Sequence, residues 1–189
     1  FLDFNDARAK ITKNTKVIMP VHYGSSSKGM DEVYKLAQEF GLRVVEDAAQ
    51  AFGSKRDGKL VGTRGDIICF SFDGIKNVTS GEGGAILSSD KEFIQKVQDG
   101  RLLGIEKDTQ MRYTSQRSWD FDVKEQGYRY HMSNIMAAIG MVQLKRFDEF
   151  SKKRKKYALL YDHLFDKSSK IKPLFRDYNT LVPHIYVVR

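Results

Sequence analysis

Two short segments of this chain hold residue types that do carbonyl chemistry. One is Glu46-Asp47-Ala48-Ala49-Gln50, which follows an apolar run; the other is Ser71-Phe72-Asp73-Gly74-Ile75-Lys76-Asn77, which follows a second. A lysine whose ammonium is desolvated enough to shed a proton forms Schiff bases. An aspartate set against a pyridine nitrogen keeps that nitrogen protonated, so the ring can accept electrons. Pyridoxal 5′-phosphate (PLP) needs both groups, together with hydroxyl and backbone donors for its phosphate. Plainer roles stay open for each residue: Asp47 as a turn or cap residue, Lys76 as a surface lysine. The glycine-rich stretch Val78–Gly84 reads as a hairpin connection; it has neither the Gly-Lys-Ser/Thr of a Walker loop nor dinucleotide Gly-x-Gly-x-x-Gly spacing. His22 and Tyr23 are candidates to approach a sugar or a diphosphate, with a satisfied turn histidine as the alternative.

The elements that must position these residues follow from periodicity. Lys16–Val21 reads as a strand ended by the turn-rich Gly24–Ser27, and Met30, Val33, Leu36, Ala37 and Phe40 keep helical spacing up to Gly41. Leu42–Glu46 is a second strand. Strand, helix and strand within some thirty residues form a βαβ unit, which implies parallel strands and a right-handed crossover. Asp66–Phe72 and Ala85–Ser88 are further strands, and Ser89-Asp90-Lys91-Glu92 has the capping-box pattern for a helix that fades at Gly100. The fold class is α/β with a mainly parallel sheet, and ligands of such sheets sit beyond the carboxyl ends of the strands. No period holds from Gly104 to Tyr130, a length that predicts a functional or mobile loop. From Ser133 the spacing predicts one long helix to about Phe165, roughly 50 Å at 1.5 Å per residue, bridging two lobes. The domain division expected is 1–145 and 146–189, the latter a connecting helix and the beginning of a smaller domain.

Composition bounds the rest. The 189 residues carry 32 Lys and Arg against 24 Asp and Glu, a net charge of +8, and their 41% hydrophobic content is that of a folded chain. No apolar run approaches the roughly 20 residues that cross a bilayer. The single Cys69, in an apolar run, excludes an internal disulfide framework and reads as a core residue in a reducing compartment. The basic run Lys152-Lys153-Arg154-Lys155-Lys156 has acidic neighbours Asp148 and Glu149, which favours a solvated helix face over a nucleic-acid or membrane surface. The chain opens on Phe1 and closes on Pro183-His184-Ile185-Tyr186-Val187-Val188-Arg189, a strand still running, so a longer protein is expected.

Four blocks then carry a resemblance: Val45–Ala51; Asp66–Phe72 with Lys76-Asn77; Gly81-Glu82-Gly83-Gly84-Ala85; and Gly127–Asn134 followed by Ala137-Ala138-Ile139-Gly140 and Gln143-Leu144. In order and spacing they resemble the DegT-type sugar aminotransferases. His184-Ile185-Tyr186 looks like that family's entry into its small domain. The resemblance implies the large PLP-binding domain of the type I aminotransferase fold, with a helix leading to a small C-terminal domain.

It further implies a Schiff base on Lys76, which then moves the proton between substrate and cofactor. Asp47 would hold the pyridinium proton, Gln50 would sit near the phenolic oxygen, Ala49 against a ring face and Ser71 on the phosphate. Some relatives have histidine at the Lys76 position and act as dehydratases; lysine argues against that branch. Arg129 and His131 stand within the family's Gly-aromatic-Asn-aromatic-Arg-Met pattern, where the Asn reaches a neighbouring subunit's phosphate. Arg129 suits a phosphate, and His131 joins His22 and Tyr23 as a candidate substrate contact. The partners implied are a nucleotide-linked keto sugar and glutamate, in a cytoplasmic homodimer serving surface polysaccharide or glycoconjugate biosynthesis. The Thr79–Gly84 block leans toward a 4-keto-6-deoxy sugar. The family's N-terminal phosphate cup lies outside this sequence, so a non-catalytic α/β module that binds another chain is the competing expectation.

Overall fold

Burial alternates or saturates along two five-residue strands, and these set the frame of the computed structural model, which describes residues 2–105, 123, 125–167 and 170–189. The chain forms two compact units, Phe1–Leu87 with Asn134–Arg189, and Ser88–Ser133.

In the first unit the sheet runs in the order β1 (Val17–Ile18), β2 (Arg43–Asp47), β5 (Ile67–Ser71), β6 (Gly84–Ser88). β1 pairs parallel with β2, and β2 parallel with β5, with Asp47 opposite Cys69. The expected first strand is shorter than its apolar run. Pro20 turns it aside after Ile18, and only Val21 returns, to bridge Asp47. Between β1 and β2 lies α2 (Met30–Phe40), reached after α1 (Phe4–Lys10). Its Met30, Val33 and Ala37 bury against Val44, while Gly41 ends it at φ 65°, the left-handed conformation glycine adopts without penalty. A second cluster, Ala48, Ala51, Ile68 and Phe70, forms beside β5 with Phe52 and Phe72 packed on it. One element went unread in the sequence: a hairpin of β3 (Lys55–Arg56) and β4 (Lys59–Leu60), closed by Asp57-Gly58 with both φ positive.

The long helix is two helices. α4 (Asn134–Lys145) and α5 (Phe147–Phe165) meet at Arg146, whose φ −95° and ψ 4° leave helical geometry. The Phe147 ring packs edge-on to Phe52 at 5.4 Å, fixing the start of α5 on the core. At 1.5 Å per residue the pieces are roughly 18 and 28 Å long rather than one 50 Å rod. The closing stretch pairs back on Lys172–Leu174 through Leu174 N–H to Val187 O at 3.0 Å, and Tyr186 donates to Asp162 of α5 at 2.7 Å.

In the second unit α3 (Lys91–Gly100) is capped by Asp90, whose carboxylate accepts the Phe93 N–H at 3.0 Å; the cap is Asp90 rather than the Ser89 of the capping-box reading. Leu102 bridges Arg129 antiparallel and Tyr128 stacks on Tyr130. Residues 106–122 of the aperiodic segment lie outside the described residues.

Candidate cofactor site at the strand ends

β2 and β5 are parallel and in register, so side chains at 47, 69 and 71 point to one face of the sheet. Neighbouring strands lie about 4.8 Å apart and each residue rises about 3.3 Å, which places the Asp47 and Ser71 backbones roughly 8 Å apart at the carboxyl edge. Asp47 is tied down by its backbone: its N–H donates to Pro20 O at 2.9 Å and its carbonyl accepts the His22 N–H at 3.0 Å. Its Oδ1 accepts the Ala49 N–H at 3.0 Å. Among the described residues no donor reaches the other carboxylate oxygen, so an acceptor is left facing the edge. Cys69, opposite Asp47 in the register, shares that face; burial raises its thiol pKa, and the Asp47 charge raises it further.

Lys76 follows Ser71 through a tight turn. Ser71 Oγ accepts the Asp73 N–H at 3.3 Å, Asp73 Oδ1 accepts the Ile75 N–H at 3.2 Å, and the Lys76 N–H returns to Asp73 O at 3.0 Å. Asp73 bridges Gly81 and Ser80 N–H donates to Phe72 O, which locks this turn to the glycine-rich stretch. Lys76 is half-buried as a residue, and its ammonium pairs with no carboxylate among the described residues. Gln50 is held by both ends, its Oε1 accepting the Gly24 N–H at 2.7 Å and its carbonyl the Ser25 hydroxyl at 2.6 Å. A free carboxylate oxygen, a serine hydroxyl with a proton to give and an unpaired amine form a donor set that fits a pyridine nitrogen, a phosphate and an aldehyde. The residues present thus fit PLP.

His22 faces inward. Its imidazole is buried and Nε2 donates to Glu46 Oε2 at 2.7 Å, so the ring serves the interior; Tyr23 beside it is exposed. Glu46 points to the face opposite Asp47 and is the hub of a buried network that sequence reasoning missed. Oε1 accepts from Tyr34 Oη at 2.7 Å and from Arg56 Nη1 at 3.3 Å. Burial raises the Glu46 pKa, but the bonds from His22 and Tyr34 and the Arg56 charge outweigh it, and the net shift is downward. Burial and Glu46 together raise the Tyr34 phenol. Nothing in local spacing links residues 22, 34, 46 and 56; only the βαβ crossover brings them together. Arg129 is exposed and His131 half-buried, both in the second unit.

This sheet, with its acid, hydroxyl and amine at the carboxyl edge, is the α/β large domain of type I PLP aminotransferases. The chain belongs to the DegT/DnrJ/EryC1/StrS aminotransferase family, whose model matches residues 1–188. It is 35% identical over 191 residues to the UDP-4-amino-4,6-dideoxy-N-acetyl-β-L-altrosamine transaminase of Campylobacter jejuni, covering 99% of this chain and 49% of that one. Among solved structures it matches Helicobacter pylori PseC, an aminotransferase involved in the biosynthesis of pseudoaminic acid, with TM-score 0.87 and 29% identity over 99% of this chain and 48% of that one. The sugar aminotransferase Spr1654 of Streptococcus pneumoniae, described as putative, matches in its PLP form at TM-score 0.84 and 28% identity, over 100% of this chain and 51% of that one. The chain therefore spans about half the length of the relatives it matches. No helix among the described residues is long and apolar enough to cross a membrane.

Proposed function

We propose that this chain carries the lysine half of a PLP-dependent sugar aminotransferase site, moving an amine from glutamate to the keto group of a nucleotide-linked sugar, with a 4-keto-6-deoxy sugar as the favoured acceptor. The observation that supports the reading is that, in a DegT-family chain, Asp47 ends β2 and Ser71 ends the adjacent parallel β5, with Lys76 in the turn that follows. Bound PLP supplies an electron sink that stabilises the carbanion formed next to the transferred nitrogen.

The chain's own residues do the remainder. With PLP bound, Asp47 would hold a proton at the ring nitrogen through its free oxygen, Ser71 would orient the phosphate, and Lys76 Nζ would anchor the cofactor through its aldehyde. Lys76 Nζ is then the proton carrier at the substrate carbon, a general acid–base role that contributes about 10²–10⁴-fold. Gln50 would lie by the phenolic oxygen and Ala49 against a ring face, and Arg129 would meet a phosphate. Tyr23, exposed after the first strand, and His131 are the substrate contacts, whereas His22 is buried on Glu46. Residues 1–145 belong to the cofactor-binding domain and 146–189 lead into the small one, in a cytoplasmic homodimer serving glycan biosynthesis.

The test is nitrogen transfer by the full-length protein, with ¹⁵N-glutamate and UDP- and dTDP-linked 4-keto-6-deoxy sugars, read by mass. The proposal expects one labelled amine per sugar, lost with Lys76→Ala. Transfer that survives Lys76→Ala contradicts it.

A further inference from the structure

We infer that Ser25 is a positioning residue for Gln50: its turn holds the Gln50 side chain with the oxygen occupied and the amide nitrogen left to donate to the phenolic oxygen of PLP. The inference rests on the place given to Gln50 above.

The backbone at residues 24 and 25 is left-handed, Gly24 at φ 58° and Ser25 at φ 69°. That region costs free energy for a residue with a Cβ. Gly24 enters it freely, and a Cβ there would collide with Arg176 Nη2. Ser25 has no such freedom, and it is fully buried. What the strained turn gains is a set of hydrogen bonds. Ser25 Oγ donates to Gln50 O at 2.6 Å and accepts the His184 N–H at 3.2 Å. The Gly24 N–H donates to Gln50 Oε1 at 2.7 Å, and Gly24 O accepts from Arg176 Nε at 3.2 Å. The turn is fastened on one side by Arg176 and His184, and on the other it grips Gln50 by main chain and side chain together.

That grip decides which way the amide lies. A backbone N–H can only donate, so the Gln50 atom it meets is the oxygen, and Nε2 is the atom left over. Among the described residues no acceptor meets Nε2. Gln50 follows Asp47 by three residues, and the chain between them is itself tied. Asp47 Oδ1 accepts the Ala49 N–H at 3.0 Å, and the Ala51 N–H donates to Ala48 O at 2.9 Å. The acceptor at Asp47 and the donor at Gln50 are therefore set on one fixed turn. A hydrogen bond from Nε2 favours the negatively charged phenolic oxygen. The proton that oxygen shares with Lys76 Nζ then leaves at lower pH, and the visible band of bound PLP titrates lower with it.

The test combines a spectral titration of the PLP-loaded full-length protein with amide exchange of the cofactor-free protein. Ser25→Ala keeps the left-handed backbone and removes the hydroxyl. Its visible band should titrate about 0.5–1 unit above wild type, the size of one ordinary hydrogen bond, and Gln50→Ala should shift it at least as far. Adding Ser25→Ala to Gln50→Ala should produce no further shift, because a residue that acts through Gln50 then has nothing to position. Without PLP, the Gly24 amide should exchange about threefold faster or more in Ser25→Ala. Should the Ala variant fail to fold, Ser25→Gly takes its place, removing the hydroxyl while relieving the backbone, with the same shifts expected. Shifts that add, or Gly24 exchange unchanged without PLP, overturn the inference. So does an unmoved midpoint in Ser25→Ala where Gln50→Ala moves it. An unmoved midpoint in Gln50→Ala overturns the place of Gln50 at the cofactor and the inference with it, whereas the Gly24 exchange reports the grip alone.

Discussion

Replacing Glu46 by Gln keeps the shape of the buried hub and removes its charge. Glu46 and His22 are each 1% exposed, and the carboxylate accepts at 2.7 Å from His22, 2.7 Å from Tyr34 and 3.3 Å from Arg56. Gln offers one acceptor oxygen where three donors converge, and its own NH₂ then faces one of them. Removing one partner from a buried ion pair costs about 3–5 kcal/mol. Taking about 3 kcal/mol, and tenfold per 1.4 kcal/mol, amides of Val45 and Ile68 in the paired strands should exchange roughly 100-fold faster at pH 7. Native-state hydrogen exchange of the full-length protein measures this. The pH dependence has a fixed sign. Because the folded Glu46 pKa is depressed, its contribution is full above the unfolded value near ~4.3 and is lost as pH falls through the folded value. The gap between wild type and Glu46→Gln therefore closes in acid. Exchange that changes less than threefold at pH 7 refutes the hub.

Gly65→Ala should cost about 2–4 kcal/mol by thermal or urea unfolding, since a Cβ there lies 2.7 Å from Glu46 Oε1 and 2.8 Å from Tyr34 Oη, at φ +143°. A neutral substitution would mean this network is loose. Arg43→Ala removes the two-pronged 2.7 Å contact to Asp66, yet the pair is half in water, so the loss should stay near ~0.5–1 kcal/mol in the same assay. Hydrogen bonding to Arg43 is the leading cause that holds the Asp66 carboxyl below the usual carboxylate range. Wild type should therefore outlast Arg43→Ala as pH falls toward ~3.9, the two converging only below the folded Asp66 value.

What could be read from sequence was local or periodic. The 3.6-residue spacing of Met30, Val33 and Ala37 marks the face that α2 buries, and the apolar runs of β2 and β5 put Asp47 and Ser71 at their carboxyl ends, with Lys76 shortly beyond. The long helix misled because apolar spacing continues through residue 146, while the break depends on Phe147 finding Phe52, a contact 95 residues away in the chain. The β3–β4 hairpin had its signal in Asp57-Gly58, but two-residue strands carry no period. His22 reads from sequence as a sugar or diphosphate contact or a satisfied turn histidine, because Glu46, its partner, belongs to another strand. His184 showed only as a motif residue; its backbone bond to Ser25 joins residues far apart in the chain.

The most direct measurement is reduction of the full-length protein with borohydride after incubation with PLP, followed by peptide mapping. Borohydride fixes a Schiff base as a stable amine, so the modified residue names itself. The account predicts one adduct, on Lys76, which weakens when Asp47 is changed to Ala. An adduct on another lysine, or none, contradicts the placement of the cofactor at the carboxyl edge of β2 and β5.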